Sequence, residues 1–367
     1  MKLLILSDAN SIHTQKWLSS LVKRGFNLHL FSLFKPSSQN AKLYNDLGII
    51  VHTIDLKHKI RNLRNPNISK ILYITSLHKL KNIVKTFSPK IIHAHYASSY
   101  GILAYLIHFK PTILSVWGSD IYDFPKRNFI NKWILKKVVK SADCICSTSE
   151  AMRKIIKSDY ARNDCYLIPF GVDINKFRPK TIKKNTFTVG TIKTIESHNG
   201  IDTIIDAAKI LVHDKKLDDL QFLIVGEGSL LTMMKDKCTK LNLNSNIKFT
   251  GYIPHDKIVS YFQKLSVFIA VSTRESFGVS ILEAASCGIP AITSNVGGLT
   301  EVNQNLKTGY IIEANNGKML SEKIIKLYNN DKLRKEMGKK ARKRVIEKFD
   351  WNQNLEKMIT IYSNYIK

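Results

Sequence analysis

The chain has 367 residues, 44% of them hydrophobic and 23% charged. That composition excludes disordered, collagen-like and coiled-coil proteins, and the length suits two domains of about 150–200 residues each. The charge is the unusual quantity, since 57 Lys+Arg against 29 Asp+Glu give a net +28.

The N-terminus, Met1-Lys2-Leu3-Leu4-Ile5-Leu6-Ser7-Asp8, has only four apolar residues before Asp8. A secretory core needs about 7–15, so we read Leu3–Ser7 as a buried strand. Thr14–Arg24 reads as a helix stopped by Gly25. Leu28–Leu33, Lys90–Ala94, Thr112–Val116, Asp143–Thr148 and Tyr166–Ile168 follow as strands, with amphipathic segments between them. The chain then passes through Pro169-Phe170-Gly171-Val172-Asp173, and the pattern restarts after Arg178-Pro179-Lys180-Thr181. Phe187–Ile192 is a strand and Ile201–Leu211 a helix. Gln221–Val225, Ile247–Thr250, Val267–Val271, Ala291–Thr293 and Tyr310–Ile312 are further strands. Strands alternating with helices imply parallel, doubly wound sheets. The expected organisation is an α/β protein with Rossmann-like domains at 1–172 and 173–350, and an amphipathic last segment at 351–367.

No apolar run approaches the ~20 residues of a membrane span. The five cysteines are odd in number, follow no zinc spacing and read as buried thiols, which suits a reducing cytoplasm. The positive charge is uneven: residues 1–180 hold 29 basic and 10 acidic residues, net +19. Basic and apolar residues interleave at Lys57–Arg64, at Lys79–Lys85 and at Asn131–Lys140, where Trp133, Lys136, Lys137 and Lys140 recur at helical spacing. Such a surface suits anionic lipid or nucleic acid. Nucleic acid is disfavoured by the lack of any helix-turn-helix, zinc or aromatic-sheet signature. An anionic membrane surface is the expected partner.

Neither first strand is followed by G-x-G-x-x-G, and Gly226-Glu227-Gly228 is a lone G-x-G, so a dehydrogenase is not expected. The informative stretch is Arg274-Glu275-Ser276-Phe277-Gly278-Val279-Ser280-Ile281-Leu282-Glu283-Ala284-Ala285-Ser286-Cys287-Gly288-Ile289-Pro290. It predicts a helix starting near Ser276–Gly278 and ending at Gly288. Free N–H groups at Phe277, Gly278 and Val279, with the positive end of the helix dipole, form a diphosphate site. Glu283, about a turn and a half along, can accept hydrogen bonds from a vicinal diol.

These residues resemble family 4 glycosyltransferases of the GT-B fold, which are retaining, metal-independent enzymes using nucleotide-diphosphate sugars. Glu275 and Glu283 meet the E-x7-E spacing. Ile168–Asp173 with Phe177 and Pro179, Phe222–Gly228, Phe249–Pro254, Gly297–Glu301 and Thr308–Tyr310 match as well. The resemblance is dense over about 165–312 and loose before 160. It implies two domains facing a central cleft, with the last helix crossing back to the first domain and Pro169–Val172 as hinge. It implies that Glu283 binds the donor ribose and that Glu275 contacts the sugar near the reacting centre. Phe277, Gly278 and Val279 would face the diphosphate or sugar through backbone N–H groups, and Tyr252 and Ile253 would hold the base. The family tends to have an Arg and a Lys after the first strand of this domain. Thr191 stands where the Arg is expected and His198 near the Lys, which leaves Lys193 as the phosphate cation, with His198 beside it. Trp117 stands where many members have His in Val116-Trp117-Gly118-Ser119-Asp120. Asp120 and His95 are catalytic candidates, and Ser11 a phosphate contact from the first domain.

The resulting expectation is a retaining transfer of a hexose or N-acetylhexosamine, from a UDP-sugar rather than a GDP-sugar, to a membrane-bound glycolipid or polyprenyl-diphosphate-linked acceptor. It would act at the inner face of the cytoplasmic membrane with no metal or other cofactor. A same-fold epimerase or hydrolase is the rival, and the departures at Thr191 and Trp117 keep an inactive subunit open.

Overall fold

The computed structural model describes residues 1–55, 68–180 and 186–366, and side chains outside 68–75. Lys57–Arg64 therefore lies outside the described residues, as does Thr181. The chain divides into two compact units, Met1–Ile168 with Leu355–Lys367, and Pro169–Asn354.

Among the described residues, the first unit holds seven strands: β1 (Lys2–Leu6), β2 (Asn27–Ser32), β3 (Ile50–Thr53), β4 (Ile91–His95), β5 (Thr112–Val116), β6 (Cys144–Ser147) and β7 (Cys165–Leu167). They are all parallel, in the order β3-β2-β1-β4-β5-β6-β7. Leu6 pairs with Phe31 on one side and Ala94 on the other. Leu3–Leu6 reads as an unbroken apolar run because both faces of a parallel sheet are covered, and all four side chains are buried. Each such burial contributes about 1.5–3 kcal/mol. The sequence reading omits β3, an edge strand whose Ile50 is 53% exposed. All five cysteines are free and buried, as expected.

The last helix, Trp351–Asn364, is divided between the units, and its residues from Leu355 on belong to the first. Arg24 pairs with Glu356 at 2.8 Å, and Tyr365 donates its hydroxyl hydrogen to the Asp143 carbonyl at 3.0 Å. The buried Tyr362 hydroxyl bonds His93 Nδ1 at 2.7 Å, and His93 Nε2 bonds Ser115 Oγ at 2.8 Å. Burial pushes the His93 pKa down to about 3, because the dry interior disfavours the cation. Between 6.5 and that value the unfolded chain takes a proton the folded one refuses, so falling pH favours unfolding. Stability is expected to fall as pH drops from 6.5, by up to about 1.4 kcal/mol per pH unit at this site. Melting temperatures of the wild type and of His93→Gln measured down to about pH 4 check this; a flat wild-type curve would refute it.

The second unit holds β8 (Thr188–Ile192), β9 (Gln221–Val225), β10 (Ile247–Phe249), β11 (Val267–Ala270), β12 (Ala291–Ser294) and β13 (Gly309–Ile312). These are parallel in the order β10-β9-β8-β11-β12-β13. Phe222, Ile224, Val267, Ile269 and Ile292 of the sheet pack with Leu320 and Ile324 of the helix Gly317–Tyr328. The segment expected to close the first domain packs here instead: Phe170 meets Phe277 at 6.1 Å, and Val172 bridges to Asp350. This unit therefore starts at 169, four residues before the expected boundary.

In both sheets the strand order reverses once, between β1 and β4 and between β8 and β11. Crossover helices leave such a point in opposite directions, so a crevice opens at the strands' carboxyl ends. Among the described residues, no helix is long and apolar enough to cross a membrane.

Candidate active site

In the second unit, Lys193 follows β8 and Glu275 lies in the loop after β11, on the two sides of the reversal. Their side chains form an ion pair, and Lys193 Nζ also donates to Ser272 Oγ at 3.2 Å. The side chains are only 9% and 23% exposed, so water screens the pair weakly.

Glycines fix both backbones. Lys193 N–H donates to Val225 O at 3.0 Å and Ile195 N–H to Glu227 O at 2.9 Å, so this loop lies flat on Gly226-Glu227-Gly228. A Cβ at Gly226, φ +141°, would overlap the Lys193 carbonyl oxygen. The lone G-x-G thus admits a neighbouring loop. On the other side Gly298 N–H donates to Glu275 O at 3.2 Å, and a Cβ at Gly297, φ +45°, would overlap that oxygen. Thr191 lies buried within β8, its hydroxyl without a partner among the described residues. His198 sits in the 3₁₀ turn Ser197–Asn199, and its carbonyl accepts from Thr273 N–H at 2.9 Å.

The helix after Glu275 is Val279–Ser286, capped by Gly278 at φ +99°. It starts one to three residues later than expected, because the buried Phe277 is held between Phe170 and Phe349, at 6.1 and 5.9 Å. Glu283 is its fifth residue, about one turn along, and is buried. Glu283 Oε1 accepts from His255 Nε2 at 2.9 Å. His255 comes just after exposed Tyr252 and half-buried Ile253, and its ring lies 5.8 Å from that of Phe177. The sequence reading missed His255 and Ser272. His255 stands three residues beyond Tyr252, but only the fold shows that this loop meets the Val279–Ser286 helix.

In the first unit, Ser7 after β1 and His95 at the end of β4 meet across the other reversal, His95 Nδ1 bonding Ser7 Oγ at 3.0 Å. His95 is buried beneath Trp117, with ring centroids 4.6 Å apart, and His13 meets Trp117 edge-on at 5.8 Å. Burial first, then His93 and His13, holds His95 well below its ordinary pKa and keeps it neutral. Trp117, half-buried, is the ring that reaches the surface there, with the catalytic candidate His95 packed beneath it. Asp120, the other catalytic candidate, is held by the backbone. It is fully buried, and its carboxylate accepts from the backbone N–H groups of Ala97 at 2.8 Å, Gly118 at 2.7 Å and Trp117 at 3.2 Å. Burial raises its pKa while those donors oppose the rise. A carboxylate spent in this way holds the Trp117 loop. Ser11 caps the helix Ile12–Val22 without a side-chain capping bond, its N–H donating to Asp8 O at 3.1 Å.

A shielded lysine beside a carboxylate, at the end of strands that flank a reversal and followed by a helix carrying a buried second carboxylate, has the chemistry to suit an anionic, polyhydroxylated ligand. Residues 173–344 match the family of glycosyl transferases group 1, and residues 2–149 match the glycosyl transferase 4-like family. The chain belongs to the glycosyltransferases, of the GT-B, family 4 type. It is 27% identical to a capsular polysaccharide biosynthesis glycosyltransferase of Staphylococcus aureus, over 95% of this chain and 92% of that one. It is 26% identical to the Escherichia coli UDP-Gal:alpha-D-GlcNAc-diphosphoundecaprenol alpha-1,3-galactosyltransferase, over 82% of each. An Anabaena protein solved in complex with UDP superposes with TM-score 0.81 at 16% identity, covering 99% of this chain and 100% of that one.

Proposed function

We propose that the chain transfers a hexose or N-acetylhexosamine, with retention, from a UDP-sugar to a lipid-linked or membrane-associated glycan, without a metal ion. The observation carrying the reading is the Lys193–Glu275 pair at the β8/β11 reversal, with Glu283 one turn into the following helix. The names of the Staphylococcus and Escherichia relatives and the UDP bound by the Anabaena protein support the donor and acceptor classes.

The anomeric carbon–oxygen bond to the diphosphate breaks, a bond to the acceptor hydroxyl oxygen forms in the same configuration, and the hydroxyl proton passes to the departing diphosphate. Negative charge grows on the diphosphate, and preorganised donors lower the barrier most where charge develops. Lys193 supplies the cation, with His198 near it. Backbone N–H groups of Phe277, Gly278 and Val279 and the helix dipole supply the rest. Glu275 orients Lys193 and meets sugar hydroxyls of the donor. Glu283 accepts from the ribose diol, and Tyr252 and Ile253 flank the base. In the first unit Ser11 serves an anionic oxygen, and Trp117, supported by His95 and Asp120, offers a stacking face for a sugar. The enzyme acts on the cytoplasmic side of a membrane, attached peripherally to an anionic surface.

Thermal-shift titration with UDP and with GDP, each with and without EDTA, tests the donor site. Stabilisation by UDP, indifferent to EDTA, is the expected result; at about 100 times Kd it reaches about 2.7 kcal/mol. No shift with either nucleotide overturns the reading. Turnover of UDP-sugar without acceptor at the full rate would make the protein a hydrolase.

His255 holds Glu283 in place, and a hydrogen bond to a charged group contributes about 1.5–3 kcal/mol. His255 is 39% exposed at the side chain, which places the effect at the low end. His255→Ala is expected to weaken UDP binding about tenfold by calorimetry and to lower the melting temperature by only a few degrees. Equal affinity would remove His255 from the site.

A further inference from the structure

We propose that the helix Phe129–Ser141 docks the protein onto an anionic lipid surface, with Phe129 and Trp133 entering the headgroup layer. An ordinary surface helix presents polar residues outward, and this one sets large apolar side chains among them. Its inner face is ordinary: Asn131, Leu135, Val138 and Val139 are buried, the apolar three in the core of the first unit. On its outer face Phe129 is 81% exposed, the highest value of any large apolar side chain among the described residues, Trp133 is 59% and Ile130 48%.

At about 100° per residue, Phe129, Lys140 and Trp133 fall within a narrow stripe, with Lys132 and Lys136 on one side and Lys137 and Ile130 on the other. All four lysines are exposed, and Lys137 Nζ lies 5.6 Å from the centre of the Trp133 ring. Residues 124–142 carry six cations and no acidic residue. Exposed aromatic residues flanked by lysines match the interface between headgroups and acyl chains, where indole rings settle and ammonium groups meet phosphates. A protein partner would need matching acidic side chains and an apolar pocket. An anionic bilayer offers both charge and depth to a convex face, and charge complementarity selects it as the occupant.

The chain direction gives the placement a purpose. The helix follows β5 through the loop holding Trp117 and Asp120, so its first turn, with Phe129, Ile130 and Trp133 just beyond, stands at the carboxyl end of the first sheet. Trp117 lies at that same end, so a headgroup bound beneath Phe129 is near the ring proposed to take the acceptor sugar. The inference deepens the proposed reading of a lipid-borne acceptor and rests on it for that purpose, while the docking itself is measured without turnover.

Flotation of the full chain with vesicles of phosphatidylcholine, with and without one-third phosphatidylglycerol, tests it. The wild type is expected on the anionic vesicles only, released by high salt. Phe129→Ser/Trp133→Ser is expected to lose about 30-fold in vesicle affinity. Lys136→Glu/Lys137→Glu is expected to lose at least tenfold and most of the salt dependence. All four side chains are exposed, so melting temperatures should stay at the wild-type value, and UDP shifts on the same samples should be unchanged. A blue shift of tryptophan emission on vesicle addition, missing in Trp133→Phe, would locate the insertion. Wild-type vesicle affinity in the Phe129/Trp133 variant, no vesicle binding by the wild type, or tighter binding to an RNA oligonucleotide would each overturn the proposal. Loss of the UDP shift with vesicle binding retained would sink the glycosyl-transfer reading and leave the docking face standing.

Discussion

Replacing Lys193 with alanine is expected to lower kcat by a hundred- to a thousandfold, the range found when one preorganised donor to a developing anion is removed. Lys193 is the charged group held at the β8/β11 reversal, and its side chain is 9% exposed. A water molecule replacing it would bring no net charge to a leaving diphosphate. The substitution also leaves Glu275 unpaired, and that carboxylate would repel the donor. KM for the UDP-sugar should therefore rise along with the fall in kcat. Stability should change less. Breaking a fully buried pair costs about 3–5 kcal/mol, but Glu275 is 23% exposed and can rehydrate, so we expect about 1–2 kcal/mol. Steady-state kinetics well below the melting temperature separates the two effects. Turnover within threefold of wild type would remove Lys193 from the chemistry.

Replacing Glu283 with alanine is expected to weaken UDP binding a hundredfold or more and to abolish the thermal shift. The buried carboxylate takes one bond from His255 through Oε1 and has lone pairs left for a diol. Two hydrogen bonds from ribose to a charged acceptor are together worth about 3–6 kcal/mol before the solvation lost on binding is subtracted. Glu283→Gln keeps the volume and one acceptor, and should retain an intermediate affinity. The melting temperature without ligand separates a binding loss from a folding loss, since the helix Val279–Ser286 keeps its core packing through Ile281, Leu282, Ala284 and Ala285. A full UDP shift in Glu283→Ala would mean that the nucleotide sits elsewhere.

The sequence determined much of this architecture by itself. Central strands such as Leu3–Leu6 and Phe222–Val225 are covered on both faces, so they read as apolar runs bounded by polar turns, and their alternation with helices announces parallel sheets. The Glu275–Glu283 spacing was legible because both residues lie on one short loop-helix segment. Only the tertiary structure decided the rest. β3 went unread because an edge strand with an exposed Ile50 carries no such run. The surroundings of Asp120 and His95 came from packing: one carboxylate bonded by three backbone amides, and one ring covered by Trp117. The partners of Lys193 and Glu283 are 82 and 28 residues away in the chain. Residue type names a charge or a ring, but its neighbours, and the water they exclude, are set by how distant segments pack.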